Sequence, residues 1–108
     1  MKIAIYSQHI GKHTSSVLLE LFSFRKKFNI DFFLEKEFEK VLTKDSHSDL
    51  NYNVFSSYKD LDNSFDLMIT IGGDGTLLRS ISFVRDLQIP IIGVNTGNVV
   101  WNVGFFGR

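Results

Sequence analysis

The feature that most constrains this chain is an apolar run that ends in a glycine turn. Leu67-Met68-Ile69-Thr70-Ile71 is followed at once by Gly72-Gly73-Asp74-Gly75-Thr76. A short apolar run stopped by glycine is the pattern of a buried strand. Beyond the turn, Leu77, Leu78, Ile81, Val84 and Leu87 recur with helical spacing and mark one face of a helix. The turn therefore joins a strand to a helix. In an open α/β sheet that junction is where ligands bind, outside the carboxyl ends of the strands. Three glycines bare the backbone N–H groups there, and Asp74 stands among them. A phosphate can approach the amides, and a metal or a hydroxyl can approach the carboxylate.

The rest of the chain repeats the alternation. Ile3-Ala4-Ile5-Tyr6 reads as a first strand, followed by a polar loop to His13 that contains Gly11. Thr14-Ser15-Ser16 offers helix caps, and Val17, Leu18, Leu21, Phe24 and Phe28 give the inward face of one helix. Its end carries Arg25-Lys26-Lys27, read as a solvated cluster that suits the helix dipole. Ile30 to Leu34 is a second strand. Glu35 to Thr43 is an amphipathic helix, with Leu34, Phe38, Val41 and Leu42 inward. Asp45 to Asn53 is polar and reads as a loop, and Tyr52 to Leu61 holds a short strand or turn. Ile89-Pro90-Ile91-Ile92-Gly93-Val94 is a further buried strand that ends in the polar turn Asn95-Thr96-Gly97. This order predicts a doubly wound, mostly parallel sheet with helices on both faces. The turns at 72–76 and 95–97 would then open on the same edge of it.

Composition narrows the partners. The chain has 108 residues, 44% hydrophobic and 22% charged, which is a globular balance with one domain's length. Twelve basic and twelve acidic residues cancel, which argues against nucleic acid or an anionic membrane as the main partner. There is no cysteine, so disulfides, thiol chemistry and Cys-based zinc sites are excluded. The apolar run at the N-terminus is too short for a signal peptide, and no stretch approaches the ~20 apolar residues of a membrane span. A cytoplasmic protein is expected.

The glycine turn has a defined chemical repertoire. Gly72 and Gly73 allow positive φ and close backbone approach, and Gly75 leaves room beside Asp74. Thr76 can cap the helix. Asp74 can accept a proton from an attacking hydroxyl or hold a divalent metal that bridges phosphates. Arg79, one turn on, can reach a phosphate or carboxylate with two donors. No Gly-Lys-Ser/Thr follows, so this is not a P-loop, and the G-x-G-x-x-G spacing of dinucleotide folds is missing.

Gly72-Gly73-Asp74-Gly75-Thr76-Leu77-Leu78-Arg79 resembles the signature of the NAD kinase family. Ile89 to Gly97 resembles that family's second motif, a strand ending in an Asn-x-Gly turn, and Met1 to Tyr6 is similar to the first strand of bacterial members. The glycine motif alone is shared with diacylglycerol and sphingosine kinases. The resemblance implies transfer of the ATP γ-phosphoryl group to the 2′-hydroxyl of the adenosine ribose of NAD. It implies Asp74 as the catalytic carboxylate. Gly72, Gly73, Asp74, Gly75, Thr76, Arg79 and Asn95 are implied as the nucleotide-binding set. It further implies a divalent metal such as Mg²⁺, ATP as donor, and a homo-oligomer in the full-length form.

The match runs from residue 1 to about 98, giving an α/β nucleotide-binding domain over 1–98 and an irregular apolar segment over 99–108. Val103-Gly104-Phe105-Phe106 resembles the family's next residues, displaced by a few positions. The family's Asn-Glu or Asn-Asp motif, on a β-rich second domain, is found nowhere in the chain. Little or no kinase activity is therefore expected of the 108 residues alone. Two other readings remain open at this point. One is a lipid kinase of the same superfamily, which the Asn95-Thr96-Gly97 turn disfavours. The other is a non-catalytic module that associates through the apolar stretch from Trp101 to Phe106.

Overall fold

The computed structural model describes residues 1–8, 11, 13–43, 51–95 and 102–106, the last stretch and the side chains of Thr43 and Asp74 by backbone alone. The polar tract at 44–50, the Thr96-Gly97 part of the second turn, and Trp101 lie outside the described residues.

Strands β1 (Lys2–Tyr6), β2 (Asp31–Glu35), β3 (Asn53–Phe55), β4 (Leu67–Ile71) and β5 (Ile91–Asn95) are parallel, and β6 (Asn102–Phe106) returns antiparallel to β5. Their order across the sheet is β3-β2-β1-β4-β5-β6. Helices α1 (Thr14–Ser23), α2 (Arg25–Phe28), α3 (Lys36–Thr43) and α4 (Asp74–Val84) fill the connections. Side chains alternate across a strand, so successive residues feed opposite faces. Ile3, Ile5, Phe32, Leu34, Ile69 and Ile71 pack with α1 and α3. Ala4, Phe55, Met68 and Ile91 pack with α4 and the segment before β4. From β1 the chain steps out through β2 to β3 at one edge, returns past β1 to β4, and steps out from there to β5, and right-handed crossovers on the two outward paths place α4 opposite α1 and α3. This is the doubly wound arrangement expected from the sequence. The order reverses between β1 and β4, and that switch point is where such sheets open a crevice.

Several sequence expectations need correction. Phe24 and Phe28 are exposed, because α1 ends at Ser23, the chain turns at Phe24, and the single-turn α2 restarts the helical phase. Phe22 takes the inward place and stacks on Phe32 with ring centroids 4.4 Å apart. The two displaced rings, with Met1, Leu21 and Leu67, line an apolar groove of about 450 Å³. Val41 is likewise exposed, while Phe38 and Leu42 carry the buried face of α3.

On α4, Leu78 is 68% exposed and Ile81 is exposed too, whereas Thr76, Ser80 and Val84 are buried. The i, i+4 row that meets the sheet starts with a threonine and a serine. Their small side chains let the helix lie close; Leu77, Val84 and Leu87 pack on the core as the spacing predicts, while Leu78 and Ile81 do not. Ser80 is satisfied locally by donating to the Leu77 carbonyl at 2.5 Å.

The helix starts also differ from expectation. Thr14 is the first residue of α1 rather than its cap, and its Oγ1 accepts from the Gly11 amide at 2.9 Å. Glu35 ends β2, and its buried carboxylate accepts from the amides of Glu37 and Phe38, both at 3.0 Å, in the first turn of α3. Between β3 and β4, Ser57 and Asp60 form a reciprocal capping box on a short 3-10 turn.

Candidate nucleotide site at the switch point

The site forms where β1, β4 and β5 end. β4 pairs with β1 through Ile5↔Ile69 and Tyr6↔Thr70, and with β5 through Ile71↔Val94. The last rung continues into the turn, because the Gly72 amide donates to the Val94 carbonyl at 2.9 Å. Gly72 and Asn95 are thereby brought side by side, as the common-edge expectation required. Asn95 is half-buried at the end of β5.

Gly72 has φ +148°, and a Cβ built there would sit 2.6 Å from Thr76 Oγ1 and 3.1 Å from Thr76 Cβ. Both the backbone angle and the space demand glycine. Gly73 differs from the expectation of positive φ: it is the N-cap of α4 in an extended conformation, φ −95° and ψ −165°. A Cβ on Gly73 would meet nothing within 4 Å, and one on Gly75 would meet only Gln8 Oε1, at 3.9 Å. Asp74 opens α4, and its side chain lies outside the described residues.

Thr76 is not the helix cap. It is buried in the first turn of α4, and its Oγ1 donates to Gln8 Oε1 at 3.3 Å, across the switch point. Tyr6 packs its ring on Phe83 at 5.1 Å between centroids. Burial pushes the Tyr6 phenol up. The Arg79 charge and the nearby polar side chain of Gln8 pull the other way, and the Glu35 carboxylate adds to the rise. Arg79 itself is exposed, in the second turn of α4.

Tyr6 and Gln8 were not singled out from the sequence. Their signal was positional: they end the strand that flanks the switch point. The structure brings Gly72, Gly73, Gly75, Thr76, Arg79 and Asn95 to one edge, together with the backbone of Asp74. Among the described residues, no group of three or more His, Cys, Asp or Glu side chains stands together. Among them, too, no helix is long and apolar enough to cross a membrane.

Residues 5–105 match the family described as the ATP-NAD kinase N-terminal domain. The chain belongs to the ATP-NAD kinase family. Its relatives include the NAD kinase of Christiangramia forsetii, 40% identical over 99 residues, which cover 92% of this chain and 34% of that protein. The NAD kinase of Flavobacterium psychrophilum is 41% identical over the same length and coverage. The chain thus spans about a third of the length of the curated relatives it matches. Among solved structures, yeast NADH kinase complexed with NADH superposes with a TM-score of 0.66 at 19% identity, over 91% of this chain and 30% of that one. That likeness shows a shared fold.

Proposed function

We propose that this ATP-NAD kinase domain supplies the NAD-binding, proton-accepting half of a site that phosphorylates the 2′-hydroxyl of the adenosine ribose of NAD. The observation that carries the reading is the bareness of Gly73 and Gly75. No neighbour would touch a Cβ at Gly73, and only Gln8 Oε1 comes within 4 Å of one at Gly75. Glycine in the first turn of a helix costs roughly 0.5–1 kcal/mol relative to alanine. Packing does not demand it at Gly75, so close approach of a ligand to the backbone is the remaining physical reason. The amides at the start of α4, with the helix dipole behind them, suit a phosphate or ribose hydroxyl.

In this scheme Asp74 orients the ribose 2′-hydroxyl and accepts its proton. The hydroxyl oxygen bonds to the γ-phosphorus of ATP, the bond from that phosphorus to the bridging β–γ oxygen breaks, and ADP leaves. Positioning and charge neutralisation dominate such transfers. Arg79 and Asn95 line the same cleft and hold the dinucleotide. A divalent metal would travel with the nucleotide phosphates, and Asp74 would be its protein contact. When bound, that ion would neutralise phosphate charge.

The test is a chimera in which this chain replaces the matching third of the Christiangramia forsetii enzyme. It is expected to form NADP from NAD and ATP, and Asp74→Ala is expected to lower the rate by about 10²–10⁴-fold. A folded chimera that phosphorylates diacylglycerol or sphingosine instead, or whose activity ignores Asp74, would overturn the proposal.

A further inference from the structure

We infer that Gln8 is a further binding residue of the dinucleotide site: its side-chain amide, held by Thr76, closes over the open space at Gly75 and donates to a phosphate oxygen of the dinucleotide. The inference rests on the proposed NAD site and adds to it a contact from the opposite side of the crevice.

Gly75 is exposed in the first turn of α4. Among the described residues, only Gln8 Oε1 comes within 4 Å of where a Gly75 Cβ would be, at 3.9 Å. A ligand that takes the space the glycine leaves open therefore lies between the α4 backbone and the Gln8 side chain. Gln8 reaches this point from two residues beyond the end of β1, and β1 and β4 are the strands between which the sheet order reverses. The side chain thus spans the switch point, where an open α/β sheet holds its ligand.

Thr76 fixes which edge of the amide faces the helix. It is buried, and its Oγ1 donates to Gln8 Oε1 at 3.3 Å. A buried hydroxyl needs such a partner. With the carbonyl end of the amide turned to α4, the other end is NH₂, which carries two donors and no acceptor. Gln8 is exposed, so that end lies on the solvent side of the crevice.

A phosphate oxygen is the acceptor that suits it. The backbone amides at the start of α4 are donors as well, and the helix dipole adds partial positive charge behind them. Donors thus converge on Gly75 from the helix and from beyond β1, and an anionic oxygen makes the stronger bond with each. The ribose hydroxyl has its own partner in the proposed site, the carboxylate of Asp74.

The test titrates the ¹⁵N-labelled 108-residue chain separately with NAD and with ATP. The Gln8 side-chain NH₂ pair is identified by its loss in Gln8→Glu. With NAD, that pair is expected to shift together with the backbone amides of Gly73 and Gly75. Gln8→Ala is expected to weaken NAD binding about three- to tenfold, the worth of one hydrogen bond. Gln8→Glu still accepts from Thr76 but has no donor and carries a negative charge, so it is expected to weaken NAD binding more than Gln8→Ala does. Thr76→Val keeps the side-chain shape and removes the group that orients the amide. It is expected to weaken binding in the native chain and to add nothing in a Gln8→Ala background. Urea midpoints of the Gln8 variants are expected to match the native chain, which separates a lost contact from lost folding. A Gln8→Glu chain that binds NAD as well as the native chain would overturn the inference, since a hydroxyl partner tolerates a carboxylate and a phosphate does not. A Gln8 pair that stays still while the Gly73 and Gly75 amides respond would also overturn it, and would leave the NAD reading standing. A Gln8 pair that moves with ATP and not with NAD removes the NAD reading and leaves Gln8 as a phosphate-binding residue. Silence with both ligands overturns both.

Discussion

Two adjacent glycines should respond very unequally to the same methyl group. At Gly72, alanine must adopt φ +148°, a region costing an L-residue about 1–3 kcal/mol. Its Cβ also lands 2.6 Å from Oγ1 of Thr76, which is buried and held by Gln8, so the overlap cannot be relieved by rotation into solvent. Overpacking of this kind adds roughly 1 kcal/mol or more. Gly72→Ala is therefore expected to cost about 3 kcal/mol in total, a large share of the ~5–15 kcal/mol that holds a domain together. With a urea slope of about 1–1.5 kcal/mol/M, the unfolding midpoint should fall by about 2–3 M. Gly73→Ala meets open space at φ −95°, and exchanging an N-cap glycine for alanine should cost no more than about 1 kcal/mol. Urea unfolding followed by circular dichroism on the two variants gives the comparison. In a double-mutant cycle, Thr76→Ala should recover part of the Gly72→Ala loss, since it removes Oγ1. Equal midpoint shifts at the two glycines, or strict additivity of the pair, would refute the steric account of the turn.

Other outcomes follow from the same structure. Glu35→Ala removes the acceptor for two amides at the start of α3 and should destabilise by about 1–3 kcal/mol, read by urea unfolding. Phe32→Ala empties one of the largest fully buried sites and should cost about 3–5 kcal/mol, whereas Phe28→Ala at the exposed edge should cost far less. Stability should also depend on pH on the alkaline side. The raised Tyr6 and Tyr52 phenols bind more protons folded than unfolded from about pH 10 upward, so unfolding free energy is flat below that and falls above it. Tyr6→Phe should make that fall shallower, which urea titrations at pH 9 and pH 11 would detect.

The strands and the site edge were legible in the sequence because the physics there is local. A buried parallel strand needs a continuous apolar run, as in Leu67 to Ile71, and a ligand turn needs glycine, as in Gly72 to Gly75. Helix faces were less legible. Apolar spacing placed Leu78 and Ile81 inward, but the sheet takes Thr76 and Ser80, because close packing favours small residues over apolar ones there. The continuous stripe through Phe24 and Phe28 failed for another reason: a break at Phe24 has no glycine or proline to announce it. β6 was not anticipated either, since pairing with β5 is a long-range contact that leaves no local pattern. Within the site, Gly72, Thr76, Arg79 and Asn95 declared themselves by motif. Tyr6 and Gln8 did not, because their importance comes from strand order rather than from their own neighbourhood in the sequence.

Titration of the ¹⁵N-labelled chain with NAD, followed by amide chemical shifts, tests the central claim most directly. The expected result is a saturable change confined to the amides of Gly72 to Arg79 and Asn95, with Tyr6 and Gln8 moving in step. Shifts confined instead to the apolar groove beside Phe24 and Phe28, or a spectrum unchanged at millimolar NAD, would contradict it.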